Sequence, residues 1–133
     1  MADLTLATAA EVHAVEIIEK TTLPAAEVIA AGYVIGIDTN GNVVAADADT
    51  GPIVARGVAI NGASAAGLPV TFIRKGLVDL GDILGDLAFE AAVYPSGTAG
   101  YMSDSQVNSQ PALGQVVPAW GYTTVDKLLR VNL

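Results

Sequence analysis

The feature that most constrains the fold is a series of short apolar runs, each ended by turn-forming residues, that begins near Gly32 and continues to the end of the chain. The first two runs, 33–38 and 42–45, flank Asn40-Gly41, a pair whose residues readily take the positive φ of a tight hairpin turn. Further runs follow at intervals of about 8–12 residues, with no helical stretch between them. This spacing predicts an all-β fold, a small antiparallel β-barrel or sandwich.

The first 31 residues have a different character, because they are rich in Ala and contain the only His of the chain, His13. Thr8-Ala9-Ala10-Glu11 matches a capping box, a pattern that starts helices. The segment 15–22 is instead rich in β-branched residues and partly alternating, which favours a strand. We therefore expect extended chain over 14–22, and we leave open whether residues 8–12 form a helical turn.

Conflicting local signals are typical of a segment whose structure depends on a partner. Residues 1–22 precede the first clear turn-strand unit, so we predict that they form an extended N-terminal arm that contacts a neighbouring molecule. Residues 23–133 contain no linker and are predicted to be a single β-domain. Within the arm, Val15, Ile17 and Ile18 are interface candidates, since such a segment can add a strand to an exposed sheet edge.

The charge of the chain argues against several classes of partner. Fourteen acidic and six basic residues give a net charge of -8, and no basic cluster is longer than Arg74-Lys75. Binding to nucleic acid needs basic groups that displace counterions from phosphates, so we expect no nucleic-acid partner and no adhesion to anionic membranes. The longest uncharged run, 105–125, is too polar to span a membrane. The N-terminus lacks the pattern of a secretory signal, so we expect a soluble protein that is used where it is made.

The residues that carry chemistry are sparse. With no Cys and one His, the chain cannot supply the usual ligands of a zinc site. Asp38 and Asp47 begin segments that fit solvated turns better than calcium loops. Asp79, Asp82 and Asp86 offer carboxylates for acid-base chemistry, but their spacing is more typical of turn borders. We therefore expect no enzymatic activity, no cofactor and no metal.

The aromatic residues suggest a second kind of role. Trp120 and Tyr122, with Tyr94 and Tyr101, could form a platform that stacks on a sugar ring. A single Trp near the end of a strand is more often part of a core or an oligomer interface. Trp120 and Tyr122 therefore join the interface candidates, and a carbohydrate-binding or adhesion module on a virion surface is the alternative function.

The order of several motifs resembles that of bacteriophage capsid decoration (cement) proteins. Each motif is common among β-proteins, and the resemblance rests on their order and spacing over roughly residues 28–133. The motifs are the hairpin Ala30–Asp47, the strand Val54–Ala59, the strand Val70–Asp79, the turn region Ala92–Asp104, the strand Leu113–Ala119 and the closing strand Lys127–Val131.

The resemblance implies a β-tulip-like barrel or sandwich on the outer surface of the virion, made in the host cytoplasm. It implies binding to the exterior of the major capsid protein lattice, where the protein stabilises the head, and association into a homotrimer. It also implies that the arm, residues 1–22, reaches the capsid or a neighbouring copy. The family has no catalytic residues to carry over, in agreement with the sparse chemistry of the chain.

Overall fold

The computed structural model describes residues 3–49, 53–118 and 127–133. Within these residues nine strands form a single sheet that curls as a half-barrel, and one short 3-10 turn, Ala9–Glu11, precedes the first strand. The strands are β1 (Val12–Pro24), β2 (Val34–Ile37), β3 (Val43–Ala45), β4 (Gly57–Ala59), β5 (Pro69–Leu80), β6 (Ala92–Pro95), β7 (Met102–Ser103), β8 (Gly114–Pro118) and β9 (Lys127–Asn132). The predicted all-β antiparallel fold is confirmed, since every pairing between these strands is antiparallel.

The long strand β5 organises the sheet. On one edge it pairs along its whole length with β1, and on the other it pairs first with β4 and then with β9. The strand order is β3-β2-β4-β5-β9-β8-β6-β7, with β1 beside β5. Because one strand carries two successive partners on the same edge, β5 joins the two halves of the sheet.

The first predicted hairpin is confirmed, but its turn is longer than the two-residue turn that Asn-Gly favours. Ile37 pairs with Val43, so five residues connect β2 to β3. The Gly41 amide donates to the carbonyl of Asp38 (3.1 Å), and Gly41 has a φ of 83° while Asn40 does not have a positive φ. This is a type I turn followed by a glycine bulge, in which only the glycine needs the left-handed conformation.

The side chains of the turn acids act locally, as the spacing predicts. The carboxylate of Asp38 accepts hydrogen bonds from the backbone amides of Asn40 (2.8 Å) and Asn42 (2.9 Å). The carboxylate of Asp79 accepts one from the amide of Gly81 (2.9 Å). Such bonds replace those that the backbone loses when the chain turns.

The segment before β1 spans from one edge of the sheet to its middle. Leu4 donates its amide to the carbonyl of Met102 in β7 (2.9 Å), and the Asp3 carboxylate accepts hydrogen bonds from the hydroxyls of Ser96 and Thr98. Val12 then enters the main core, where it is 5% exposed. Asp3 and Leu4 are therefore hydrogen-bonded near β7, which lies at the opposite edge of the sheet from β3.

Half of the segment predicted as an arm, residues 12–22, lies in the sheet as part of β1. Extended chain over 14–22 is confirmed, because β1 runs from Val12 to Pro24. The question left open at residues 8–12 resolves as the 3-10 turn, and the Thr8 side chain makes no capping hydrogen bond. The predicted boundary at residue 22 falls inside β1, whose backbone pairs with β5 instead of leaving the domain.

Two main clusters of buried side chains fill the curl of the sheet. The larger one contains Leu84 and Leu113 and side chains from most of the strands, and the smaller one surrounds Phe72 between β5, β2 and β3. Most members are Val, Ala, Leu and Ile, and Phe72 is the largest fully buried side chain among the described residues. The scarcity of aromatic residues in the sequence thus corresponds to a core of small and medium side chains.

Candidate interaction surface

A cluster of exposed apolar side chains marks the middle of β1. Val15, Ile17 and Ile18 are 48%, 46% and 69% exposed, although they lie within a strand. We call these three side chains the β1 apolar surface. The other large apolar side chains that are exposed in the described residues are dispersed along the chain: Val28, Val54, Leu68 and Phe89. Single exposed apolar residues are ordinary on protein surfaces, whereas clustered ones indicate an interaction site.

Two β-bulges account for this exposure. Ala14 and Glu16 oppose the consecutive residues Val78 and Leu77, so Val15 is an extra residue with no partner in β5. A second bulge follows directly. Ile17 and Glu19 oppose Gly76 and Lys75, which leaves Ile18 as the next extra residue. Each bulge bends the strand and breaks the alternation of its two faces. As a result, apolar residues that regular alternation would divide between two faces are all exposed here.

Gly76 allows the two strands to approach at the bulges. Its φ is 145°, a conformation that residues with side chains rarely adopt. A Cβ atom at this position would overlap the carbonyl oxygen of Glu16 and lie 3.4 Å from the Cα of Ile17. The placement of Ile17 and Ile18 therefore depends on the absence of a side chain in the neighbouring strand.

The β1 apolar surface has a charged border and lies on an edge strand. Glu19 forms an ion pair with Arg74 (3.2 Å) immediately after Ile18. Among the described residues β1 is paired on one side only, with β5. An apolar centre with charged neighbours is the usual anatomy of a protein interface.

The structure brings together three of the five interface candidates. Val15, Ile17 and Ile18 form one continuous exposed segment, as an interface requires. Trp120 and Tyr122 lie outside the described residues. Of the other aromatic residues considered for a sugar platform, Tyr94 and Tyr101 are partly buried.

The three acidic residues considered for catalysis occupy different structural positions. Asp79 borders a turn through the Gly81 amide. Asp82 and Asp86, with Glu11, line a polar cavity of about 320 Å³ near the end of β5. No group of three or more His, Cys, Asp or Glu side chains among the described residues has an arrangement that would hold a metal ion.

A second cavity contains a feature that the sequence did not reveal. Its volume is about 280 Å³, and both apolar and cationic side chains line it. The lining residues are Thr21, Leu23, Ile37, Arg56, Phe72 and Arg74, and we call this cavity the arginine cleft. Arg56 and Arg74 each stand in an apolar run of the sequence, and this is the only local sign that they could line a cavity. Their proximity arises from the pairing of strands that are distant in sequence.

Comparisons with known proteins found no relative of this chain. No family model matches it, and no curated protein or solved structure matches it. In the part of the chain that the structure describes, no helix is long and apolar enough to cross a membrane. The fold and its surface define a small all-β domain that exposes an apolar segment on one edge strand.

Proposed function

We propose that this chain is a decoration protein that binds the outside of a bacteriophage capsid lattice and stabilises the head. The observation that carries the proposal is the exposure of Val15, Ile17 and Ile18 on an edge strand. The order of the sequence motifs, which resembles that of decoration proteins, supports the same role. The acidic charge of the chain agrees with a protein that has no need to hold nucleic acid.

The free-energy scale of the surface indicates how such a protein would bind. Full burial of a Val or Ile side chain contributes about 1.5–3 kcal/mol, and these three side chains are about half exposed, so each contributes roughly 1 kcal/mol on binding. A micromolar affinity corresponds to about 8 kcal/mol. One copy of the β1 apolar surface therefore binds weakly, and a homotrimer would gain the remaining affinity through simultaneous contacts.

The bulges also influence the kind of contact that β1 can make. A regular edge strand exposes unpaired backbone N–H and C=O groups with which another strand can pair. Bulges disfavour that pairing because they twist the edge away. In β1 the bulges lie at Val15 and Ile18, within the apolar segment itself. We therefore propose that side-chain burial, rather than extension of the sheet, provides most of the capsid contact.

The test measures binding of purified full-length protein to undecorated heads of the phage that encodes it. Co-sedimentation gives the occupancy, and heating the heads with and without the protein gives the stabilisation. Occupancy and a raised disruption temperature are expected for the unaltered chain. Heads that neither retain the protein nor gain heat resistance would rule out the proposal.

A matched pair of variants connects binding to the proposed surface. Ile18→Ser removes the most exposed apolar side chain of β1, and Val28→Ser removes one of similar exposure, 63%, that lies outside this strand. We expect Ile18→Ser to weaken the affinity for the heads about fivefold, the factor that roughly 1 kcal/mol represents, and so to lower the occupancy at concentrations near the Kd. Val28→Ser is expected to bind as the unaltered protein does. Equal losses in both variants would assign the contact to general hydrophobicity instead of to β1.

A further inference from the structure

The arginine cleft lies where β1, β5 and β2 converge at the rim of the smaller core. Phe72 is 2% exposed and forms an apolar wall, and Leu23 and Ile37 are partly buried beside it. Gly57 makes room for the Phe72 ring, because a Cβ atom at Gly57 would lie 2.7 Å from its Cδ2. The cleft therefore has a firm apolar base formed by residues of the core.

The cationic side chains of the cleft have hydrogen-bonding capacity that the protein does not use. Arg74 contacts Glu19 through Nη1, while its Nε is buried and has no hydrogen-bond partner among the described residues. Arg56 has no side-chain hydrogen bond or ion pair with any described residue. A guanidinium carries five N–H donors, so most of the donors around this cavity have no partner among the described residues of the protein and are open to a ligand or to water.

From this arrangement we propose that the arginine cleft binds a carboxylate carried on an apolar stem. A carboxylate matches the planar fork of a guanidinium and accepts paired, charge-assisted hydrogen bonds from it. The stem would lie against Phe72, Leu23 and Ile37. Ligand pockets for small molecules usually measure about 300–1,000 Å³, so a cavity of about 280 Å³ suits one acidic side chain or one short free acid. The site uses none of the residues of the β1 apolar surface and does not depend on capsid binding.

Glu19 has a specific place in this proposal. Its carboxylate contacts Arg74 from outside the cleft lining, and both side chains are about two-fifths exposed. It therefore neutralises part of the charge that a ligand would use and repels a second carboxylate. Replacing it with Gln would free Arg74 and strengthen binding of the ligand, whereas a purely structural ion pair would show no such gain.

The primary experiment is a titration of the full-length protein followed by amide chemical shifts in NMR spectra. The probes are hexanoate and its neutral isostere hexanamide. Hexanoate is expected to bind in the millimolar range and to shift the amides of Thr21, Phe72 and Arg74, while hexanamide binds at least tenfold more weakly. Equal binding of hexanoate and hexanamide would overturn the proposal, and so would the absence of amide shifts both with hexanoate and with the acidic peptide used as a second probe.

Four variants assign the binding to the two arginines. Arg56→Met and Arg74→Lys are each expected to weaken hexanoate binding about tenfold, and Glu19→Gln is expected to strengthen it about threefold. Lys75→Met removes an exposed cation from the same strand, outside the cleft, and is expected to change nothing. Arg56 lies outside the strands, so its variant remains informative if Arg74→Lys alters the sheet. Unchanged affinity in Arg56→Met and in a folded Arg74→Lys would overturn the proposal.

A second probe distinguishes the two sources of such a carboxylate. A tripeptide with a central glutamate and both ends blocked represents the acidic side chain of a neighbouring protein, and hexanoate represents a free acid. Binding of the peptide at the same amides supports a protein partner, and binding of hexanoate alone supports a small-molecule ligand. Failure of both probes to bind removes the site.

Discussion

Gly76 of β5 lies directly opposite Ile17 of β1, so close to this strand that a Cβ atom would overlap the Glu16 carbonyl oxygen, and it has a φ of 145°. The same glycine pairs with Val131 of β9 on its other edge. One residue without a side chain thus joins the edge strand with the apolar surface to the centre of the sheet. The bulges at Val15 and Ile18, which expose that surface, lie on either side of this contact.

The first prediction concerns this close approach. Gly76→Ala is expected to destabilise the protein by about 3 kcal/mol, because the new side chain meets the backbone of β1 and the backbone conformation is strained. Chemical denaturation measures the loss of unfolding free energy. Gly67→Ala is the control, because Gly67 also has a positive φ, 92°, but open space around it. A loss in Gly67→Ala as large as that in Gly76→Ala would show that strain alone is responsible.

The second prediction concerns the hydrogen bonds between Asp3 and the turn that connects β6 to β7. Asp3→Ala removes a carboxylate that accepts hydrogen bonds from Ser96, which is fully buried, and from Thr98. We expect the unfolding free energy to fall by about 2 kcal/mol, since two charge-assisted bonds are lost and the buried Ser96 hydroxyl, which still accepts from the Thr98 amide, no longer has an acceptor for its own proton. Asp86→Ala removes the same charge at an exposed position and is expected to cost less than about 0.5 kcal/mol. A stability of Asp3→Ala equal to that of the unaltered chain would contradict this account.

The third prediction concerns Lys127, the first residue of β9. Its ammonium group donates hydrogen bonds to the carbonyls of Gly85 (2.9 Å) and Leu87 and lies 5.3 Å from the centre of the Phe89 ring. Lys127→Met retains the length of the side chain but removes these contacts, and we expect a loss of about 1–2 kcal/mol. Hydrogen exchange of the Leu87 amide should accelerate in this variant. Unchanged exchange there would show that Lys127 does not order the segment.

The fourth prediction concerns assembly. One β1 apolar surface is too small to hold the protein stably on a capsid, so the proposed function needs several linked copies. We therefore expect the protein to form a homotrimer at micromolar concentration. Sedimentation equilibrium measures the mass, and Ile18→Ser serves to ask whether the β1 apolar surface also contributes to self-association. A single species of monomer mass would contradict the prediction.

The features of the fold that depend on local sequence could be predicted from the sequence. Turn residues at short intervals predict an all-β chain because they interrupt any helix and favour hairpins, and the hairpin at Gly41 and the extended segment 14–22 are confirmed. The exposed apolar residues of the edge strand were recognisable for the same reason. Val15, Ile17 and Ile18 stand in a β-rich segment beside charged residues, and such a pattern is local.

The tertiary structure decided the features that depend on which strands become neighbours. Eleven residue pairs join the thirteen residues of β1 to the twelve of β5, so Val15 and Ile18 are extra residues in β1 and Arg74 is an extra residue in β5, a register that depends on both strands together. Asp3 and Leu4 contact β7, and Arg56 and Arg74 line one cavity, through contacts between segments that are distant in sequence. Backbone preference and apolar alternation act over a few residues and so determine the elements. The close approach at Gly76 and the convergence of two arginines require three-dimensional packing, which no local pattern encodes.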